Sequence, residues 1–465
     1  MVKGAKPLHT PQHIHFIGVD GISMSALALI MQERGIHISG SDLKESPLTA
    51  RLSAKGATIY LGHAPEQVNE ADLVVYTAAI RPDNPEMEQA RLLGLPIMSR
   101  AEFLGKLMGE ARVGIAVSGS HGKTTTTALL GLMLDEAGLD PTVLIGGELD
   151  ALGGNVRIGQ SDYFVAEACE YVETFLALKP QLGIVLNIDA DHLDYFRDLS
   201  HVVAAFRRFA GIIPKEGLLI ACHDDINVRS ILPAAKCQVI TYGLTPGADW
   251  RAGNINTKST GGSTFDVYLR SEHVARAELK VNGRHNIQNA LACLAVGNHL
   301  GLPMAAMLQT LASFAGTHRR FELKGHYHGA TVIDDYAHHP TEITATLSAA
   351  RDVAKGRIIT VFQPHTYSRT QALLVDFAKA LASADAVIIV PIYAAREKNT
   401  CGITAKDLAE KIFALNQDVR HIDSLAEATN YLKTRLGPGD TLITMGAGDV
   451  HKIGEDLLLS LASDF

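Results

Sequence analysis

Residues 113–125 read Val-Gly-Ile-Ala-Val-Ser-Gly-Ser-His-Gly-Lys-Thr-Thr, an apolar run that stops at one glycine and resumes after another with a lysine and two hydroxyls. Val113 to Ser118 predicts a buried strand, and the leucine-rich segment Ala128 to Ala137 predicts a helix behind it. A strand that turns through glycines into a helix is the setting of a phosphate-binding loop. Glycines let backbone N–H groups converge on phosphate oxygens, and the helix N-terminus adds partial positive charge. Gly119, Ser120, His121, Gly122, Lys123, Thr124 and Thr125 are therefore candidate ATP-binding residues. Lys123 has the reach for the terminal phosphates, and the Thr124 hydroxyl suits Mg2+. Position 117 is valine where the longer Walker pattern has glycine, so the loop is shorter than in GTPase-type enzymes. The plain alternative is a strand-to-helix turn with a solvated lysine. Glycine, lysine and two hydroxyls in this context weigh against it.

Outward from the loop the same alternation repeats. Upstream, Ile14 to Val19, the helical spacing from Ser23 to Arg34, and the runs Ile36 to Ser39 and Leu73 to Thr77 form a βαβ pattern, hence a parallel sheet. Downstream lie β-rich runs at Tyr163 to Ala166 and Leu182 to Ile188, and helical patterns at Leu199 to Ala210, Asn286 to Leu300 and Pro303 to Phe314. Asn254 to Ser263 reads as a turn or bulge in a β region. A third start, Ala330 to Asp335, is followed by Arg357 to Phe362, Ala386 to Pro391 and Thr441 to Met445 as parallel strands. The expected fold class is α/β with three domains, 1–108, 109–319 and 320–465, in keeping with 465 residues. No internal repeat interrupts the pattern.

Net charge is −8, so no overall basic field draws the chain to nucleic acid, and an anionic ligand must be held by local donors. Cys169, Cys222, Cys237, Cys293 and Cys401 are odd in number and contain no Cys-x-x-Cys pair, which points to a reduced, cytoplasmic protein. The opening MVKGAKPLHTPQHIHFIG holds no apolar stretch suited to a secretory leader, and no window reaches membrane-spanning length.

Two groups follow the loop at predicted strand ends: Glu167 after Tyr163 to Ala166, and His192 in NIDADH. Ligands of open α/β sheets collect outside the carboxyl ends of strands, where a carboxylate and an imidazole can hold Mg2+. Either alone reads as a surface or capping residue; beside the loop, Thr124, Glu167 and His192 become a candidate metal set. Ten ordered peptides between Ile14 and Ile453 then carry a resemblance: HFIGVDGISMS, SGSD, GSHGKTTTT, VAEACEYVETF, NIDADHLDYF, GRHNIQNALA, GTHRRFE, DDYAHHPTE, FQPHTYSRT and MGAGD. With them the chain resembles the Mur ligase family, and DDYAHHPTE and FQPHTYSRT point within it to the member that adds the first amino acid.

The resemblance implies a Rossmann-like N-terminal UDP-binding domain, a central P-loop ATPase-like domain and a Rossmann-like C-terminal domain. It implies ATP-dependent ligation of L-alanine to UDP-N-acetylmuramate through an acyl phosphate, in peptidoglycan precursor synthesis, with Mg2+ as cofactor and no nucleic acid or membrane partner. Carried over by motif, Lys123, Glu167, His192, Arg320 and Asp335 would be catalytic. Asn286, Asn289, Arg320 and Asp335 would join the loop in binding ATP. Tyr336, His338, His365 and Arg369 would surround the amino acid. Gly18, Gly21, Ile22, Ser23, Ser41, Asp42, His63 and Thr77 would line the UDP-sugar site. The chain departs from many relatives at Asp20 and Ser23, where they carry glycine, at Thr366, where some carry arginine, and in CEYVE, where others read DESD.

Three further signals are weaker. Gly18, Gly21 and Asp42 suggest a dinucleotide fingerprint, but Asp20 and Ser23 break it. His338 and His339 suggest zinc, but Pro340 follows at once and no acid stands at metalloprotease spacing. Arg319 and Arg320 read either as a solvated pair or as a phosphate fork at a hinge. The rival functions are a ligase that adds an intact tripeptide to the same sugar nucleotide, a nucleotide-binding module without ligase activity, and a dehydrogenase.

Overall fold

A computed structural model describes residues 11–462 as three sheets with helices packed on them. The first sheet comprises β1 (His13–Ile17), β2 (His37–Asp42), β3 (Thr58–Leu61), β4 (Leu73–Tyr76) and β5 (Ile97–Ser99), in the order β3-β2-β1-β4-β5. All its neighbours are parallel, so the chain leaves β1 to one side and returns on the other. That reversal opens a crevice at the carboxyl ends of β1 and β4, where Gly18 and Thr77 lie.

The second sheet holds β6 (Val113–Ser118), β7 (Thr142–Leu149), β8 (Gly154–Arg157), β9 (Tyr163–Ala168), β10 (Leu182–Val185), β11 (Leu218–Cys222), β12 (Gln238–Gly243), β13 (Trp250–Thr257), β14 (Ser263–Leu269) and β15 (Glu272–Leu279). Its order is β15-β14-β13-β12-β11-β10-β6-β9-β7-β8. β6 sits between β9 and β10, so residues leaving all three carboxyl ends converge on the phosphate loop. The third sheet holds β16 (Glu322–Tyr327), β17 (Ala330–Asp335), β18 (Ile358–Phe362), β19 (Ala386–Ile389), β20 (Val419–His421) and β21 (Thr441–Met445), in the order β16-β17-β21-β18-β19-β20.

Fully buried parallel strands are near-continuous apolar runs, which is why VGIAVS, ATVID and TLITM were readable end to end. One apolar core runs from one face of the first sheet into the second, a smaller cluster covers the other face of the first sheet, and the third sheet carries its own apolar layer on each face. Several sequence expectations need correction. β9 extends through Ala168, so Glu167 lies inside the strand rather than after it. β10 stops at Val185, and Leu186 to Ile188 form a loop. The helix expected from Ala128 begins at Lys123. Part of Asn254 to Ser263 is strand: a bulge between Gly253 and Asn256 and a hairpin turn share that segment. The expected parallel sheets gain antiparallel pairs at β13–β14, β14–β15, β7–β8 and β16–β17. Among the described residues no helix is long and apolar enough to cross a membrane. The first ten residues of the segment read for a leader lie outside the described residues.

Candidate active site

The loop between β6 and the helix Lys123–Glu136 is shaped by two glycines. Gly119 (φ 144°) and Gly122 (φ 85°) take backbone conformations that suit glycine. A Cβ on Gly119 would stand 2.8 Å from Leu186 Cβ, and one on Gly122 would stand 3.1 Å from Asn289 Oδ1. The loop is tied to the β10 turn from both sides. Asn187 Oδ1 accepts from His121 N at 2.8 Å, and its Nδ2 donates to His121 O at 3.0 Å.

Lys123 donates to the Gly119 carbonyl, to the Ser120 carbonyl at 3.2 Å and to Glu170 Oε2 at 2.8 Å. Burial would lower the ammonium pKa, but Glu170 outweighs it and holds the group above its ordinary value. Glu170 is buried, and its Oε1 has no hydrogen-bond partner while standing 3.9 Å from His192 Nε2. Glu167 lies on the neighbouring strand and accepts from Gly146 N. Burial pushes its carboxyl up, opposed by that N–H, by Lys123 and by the Thr124 hydroxyl. Lys123 thus stands between two groups, Thr124 with Glu167 and Glu170 with Asp191 and His192, which together offer mostly oxygen donors and one imidazole, and Glu170 brings an unspent carboxylate oxygen. Hard oxygen donors of this kind fit Mg2+.

Two cavities flank this centre. One, about 570 Å3, lies between the second and third sheets and is lined by His121, Gly122, Thr125, Asn286, Asn289, Arg320 and Asp335 of the expected nucleotide set. Sequence reasoning missed Asp224, Asp225, Asn227, Gln288 and Glu342, which also line it. Gln288 and Glu342 sit inside quoted peptides; Asp224 and Asp225 had only their place after a strand to mark them. Asp335 accepts from the N–H groups of Phe321 (2.9 Å) and Ala337 (2.7 Å). Burial pushes its carboxyl up to about 6, against the pull of Arg320. Arg320 and Arg319 both lie over the Tyr336 ring, at 5.0 and 5.1 Å; Arg320 lines the cavity, and Arg319 is held by Asp334 at 3.0 Å.

The other cavity, about 710 Å3, is lined by Lys44, Tyr171, Asp191, His192, His365, Thr366, Arg369 and Arg396 among others. Arg369 joins the third sheet to the second through Asp191 Oδ1 at 2.7 Å and also meets His365 Nδ1 at 3.1 Å. The Asp191 carboxyl would rise on burial; Arg369 and His192 instead hold it well below the usual range. Burial keeps His338 and His365 neutral, each near 4. His121 also spans the two sheets, meeting Asp189 Oδ2 at 3.0 Å and Glu342 Oε1 at 3.3 Å. Burial disfavours its cation, but the two carboxylates prevail and raise it to about 10.

The expected UDP-sugar residues gather around the first sheet. Gly18 N donates to the Ser41 carbonyl at 2.9 Å, and Asp42 Oδ2 accepts from Asp20 N at 2.9 Å, so Asp42 braces the glycine turn. Ile22 and Ser23 begin the helix Ile22–Glu33 behind it. Ser41 is fully buried and donates to Glu86, whereas His63 and Thr77 are partly exposed.

Sheets with ligand groups at their carboxyl ends, a glycine-bounded phosphate loop and two cavities meeting beside it define an α/β phosphate-loop protein whose site is assembled from separate sheets. The chain belongs to the Mur ligase family: profiles of its catalytic, middle and glutamate ligase domains match residues 13–112, 117–297 and 319–448. It is 49% identical over 447 residues to the UDP-N-acetylmuramate–L-alanine ligase of Caldanaerobacter subterraneus subsp. tengcongensis, covering 96% of this chain and 97% of that one. It is 51% identical to the protein of the same name from Acetivibrio thermocellus, covering 96% of each. The crystal structure of the alanine ligase MurC from Thermotoga maritima superposes with TM-score 0.82 at 29% identity, over 97% of this chain and all of that one. A murein peptide ligase from Psychrobacter arcticus gives 0.70 at 27% identity, over 97% and 98%.

Proposed function

We propose that this protein joins L-alanine to UDP-N-acetylmuramate at the expense of ATP, in the assembly of peptidoglycan precursors in the cytoplasm. The observation that carries the reading is the placement of Lys123, Glu170 and His192 between a nucleotide-sized cavity and a second cavity that holds Arg369 and Asp191. ATP enters the first cavity with its phosphates on the loop, and Asn289 and Asp335 face its nucleoside. A free carboxylate repels nucleophiles, so the muramate carboxylate oxygen first attacks the γ-phosphorus, releasing ADP and forming an acyl phosphate. The alanine amine attacks the acyl carbon, and the carbon–oxygen bond breaks to release phosphate. Lys123 stabilises charge on the transferred phosphoryl oxygens, a contribution of a few kcal/mol from one placed donor. Thr124, Glu167, Glu170 and His192 would hold Mg2+, which supplies further charge neutralisation there. Arg369, Arg396 and Lys44 are the cations that line the second cavity and could meet a carboxylate there.

The test is phosphate and ADP release with UDP-N-acetylmuramate and a panel of acceptors. Both co-substrates together should raise release at least about tenfold over either alone, with L-alanine ahead of glycine by the modest factor that one methyl provides. An intact tripeptide as the preferred acceptor would move the chain to the recycling branch. AMP in place of ADP would exclude phosphoryl transfer. The roughly 50% identity to alanine ligases over nearly the whole chain, and the TM-score of 0.82 to an alanine ligase against 0.70 to the murein peptide ligase, favour alanine.

A further inference from the structure

A polar seam runs through the first sheet, away from the phosphate loop. His13 and His15 on β1 and Ser39 and Ser41 on β2 share one face, and Glu86 reaches them from the first turn of the helix Pro85–Leu92. Glu86 and His15 are both fully buried. A carboxylate there is costly unless its oxygens are spent on hydrogen bonds, and these are. Oε1 meets His15 Nε2 at 2.9 Å; Oε2 meets the Ser41 hydroxyl at 2.8 Å and His63 Nδ1 at 2.6 Å. The seam continues from His15 Nδ1 to Ser39 Oγ (2.7 Å), from Ser39 Oγ to His13 Nε2 (2.7 Å) and from His13 Nδ1 to the Glu70 carbonyl (2.9 Å).

Counting protons fixes the chemistry. The stretch from Glu86 Oε1 to the Glu70 carbonyl begins and ends on acceptors and contains four contacts, each needing one proton. Neutral His15, Ser39 and His13 bring three, so the satisfied seam holds one surplus proton. That proton balances the Glu86 charge from the His15 side and leaves Oε2 purely an acceptor. Ser41 Oγ lies 3.1 Å from His63 Nδ1 and 2.8 Å from Oε2; its proton goes to the nearer carboxylate oxygen, so the proton in the 2.6 Å contact between His63 and Oε2 belongs to the imidazole. His63 itself is partly exposed, and its Nε2 has no hydrogen-bond partner among the described residues.

We infer that Glu86 is a positioning residue that locks His63 in the Nδ1–H tautomer, presenting Nε2 as a fixed acceptor to a hydrogen-bond donor on the nucleoside of the UDP-linked substrate. The inference rests on the proposed reading, in which the crevice of the first sheet receives the uridine half. A neutral imidazole with a free Nε2 lone pair rewards a ligand N–H or O–H and penalises a ligand lone pair at the same place. Three donors of uridine qualify by chemistry: the imide N–H of the base, which cytosine lacks, and the 2′- and 3′-hydroxyls of the ribose.

The test has a spectroscopic arm and a binding arm. In a long-range 15N–1H spectrum of the wild-type protein, the His63 resonances, assigned by their loss in His63→Gln, should show the Nδ1–H pattern; an Nε2–H pattern overturns the inference. In calorimetry with UDP, CDP, 2′-deoxy-UDP and 3′-deoxy-UDP, the wild type should disfavour at least one analogue by about tenfold or more, because its loss leaves Nε2 unpaired. The analogue that suffers identifies the donor. In His63→Gln and in Glu86→Gln the preference should fall to within about threefold. Equal wild-type affinity for all four nucleotides, or an undiminished preference in either folded variant, overturns the assignment. If Glu86→Gln does not fold, the spectrum and His63→Gln still decide. Failure of the ligase reading would show separately, as absent UDP-N-acetylmuramate-dependent phosphate release with UDP binding intact.

Discussion

Lys123→Ala is expected to lower ligation about a thousandfold or more, because one placed donor on developing phosphoryl charge accounts for about 10²–10³ in turnover and this ammonium also helps seat the nucleotide. The same variant should be less stable. Lys123 is the cation paired with Glu170, whose side chain is 1% exposed, and removing one member of a buried pair costs about 3–5 kcal/mol. The Lys123→Ala, Glu170→Gln double variant separates the two effects. It should recover most of the lost thermal stability, since no uncompensated charge remains, and recover none of the activity. Steady-state phosphate release and thermal unfolding of the wild type and both variants are the measurements. A double variant that regained turnover would take Lys123 out of the chemistry.

Glu167→Gln is the second large effect. Glutamine keeps the size of the side chain and can still accept from Gly146 N, but it loses the charge that a divalent cation needs. Turnover should fall about a hundredfold or more, with a raised Mg2+ requirement and partial recovery in excess Mg2+. Stability should move the other way. Burial raises the Glu167 pKa above 4.5, so the folded state binds this proton more tightly than the unfolded chain does. The associated stability is fully present below pH 4.5 and is lost as pH rises through the folded value. At neutral pH without divalent cation, Glu167→Gln should therefore unfold at the same or a higher temperature than the wild type, and the gap should close toward pH 4. A variant with normal Mg2+ dependence would remove Glu167 from the cation set.

What was legible in the sequence follows from what is local. Fully buried parallel strands announce themselves as apolar runs, and the glycines at 119 and 122 mark a turn that other residues would strain. Hence β6, β17 and β21 were read to the residue. The motif peptides likewise carried most of the nucleotide cavity. Antiparallel additions such as β13 to β15 alternate polar and apolar residues on a half-exposed face, and their sequence gives little sign of which sheet they join. Contacts formed between sheets left no local trace. That Asp191 pairs with Arg369, or that His121 reaches Glu342, depends on how elements far apart in the chain meet. Glu170, inside the divergent CEYVE, carries no assigned role in the sequence because a carboxylate beside Cys169 and Tyr171 looks like any loop acid until its burial is seen. Ser41 was read as a ligand contact, whereas its hydroxyl faces inward to Glu86.

The central claim is that the muramate carboxylate is phosphorylated before alanine attacks. UDP-N-acetylmuramate labelled with 18O in that carboxylate, turned over with ATP and L-alanine, tests it directly. One labelled oxygen is expected in each released phosphate, carried across when the carbon–oxygen bond of the acyl phosphate breaks. Unlabelled phosphate alongside normal product would contradict it.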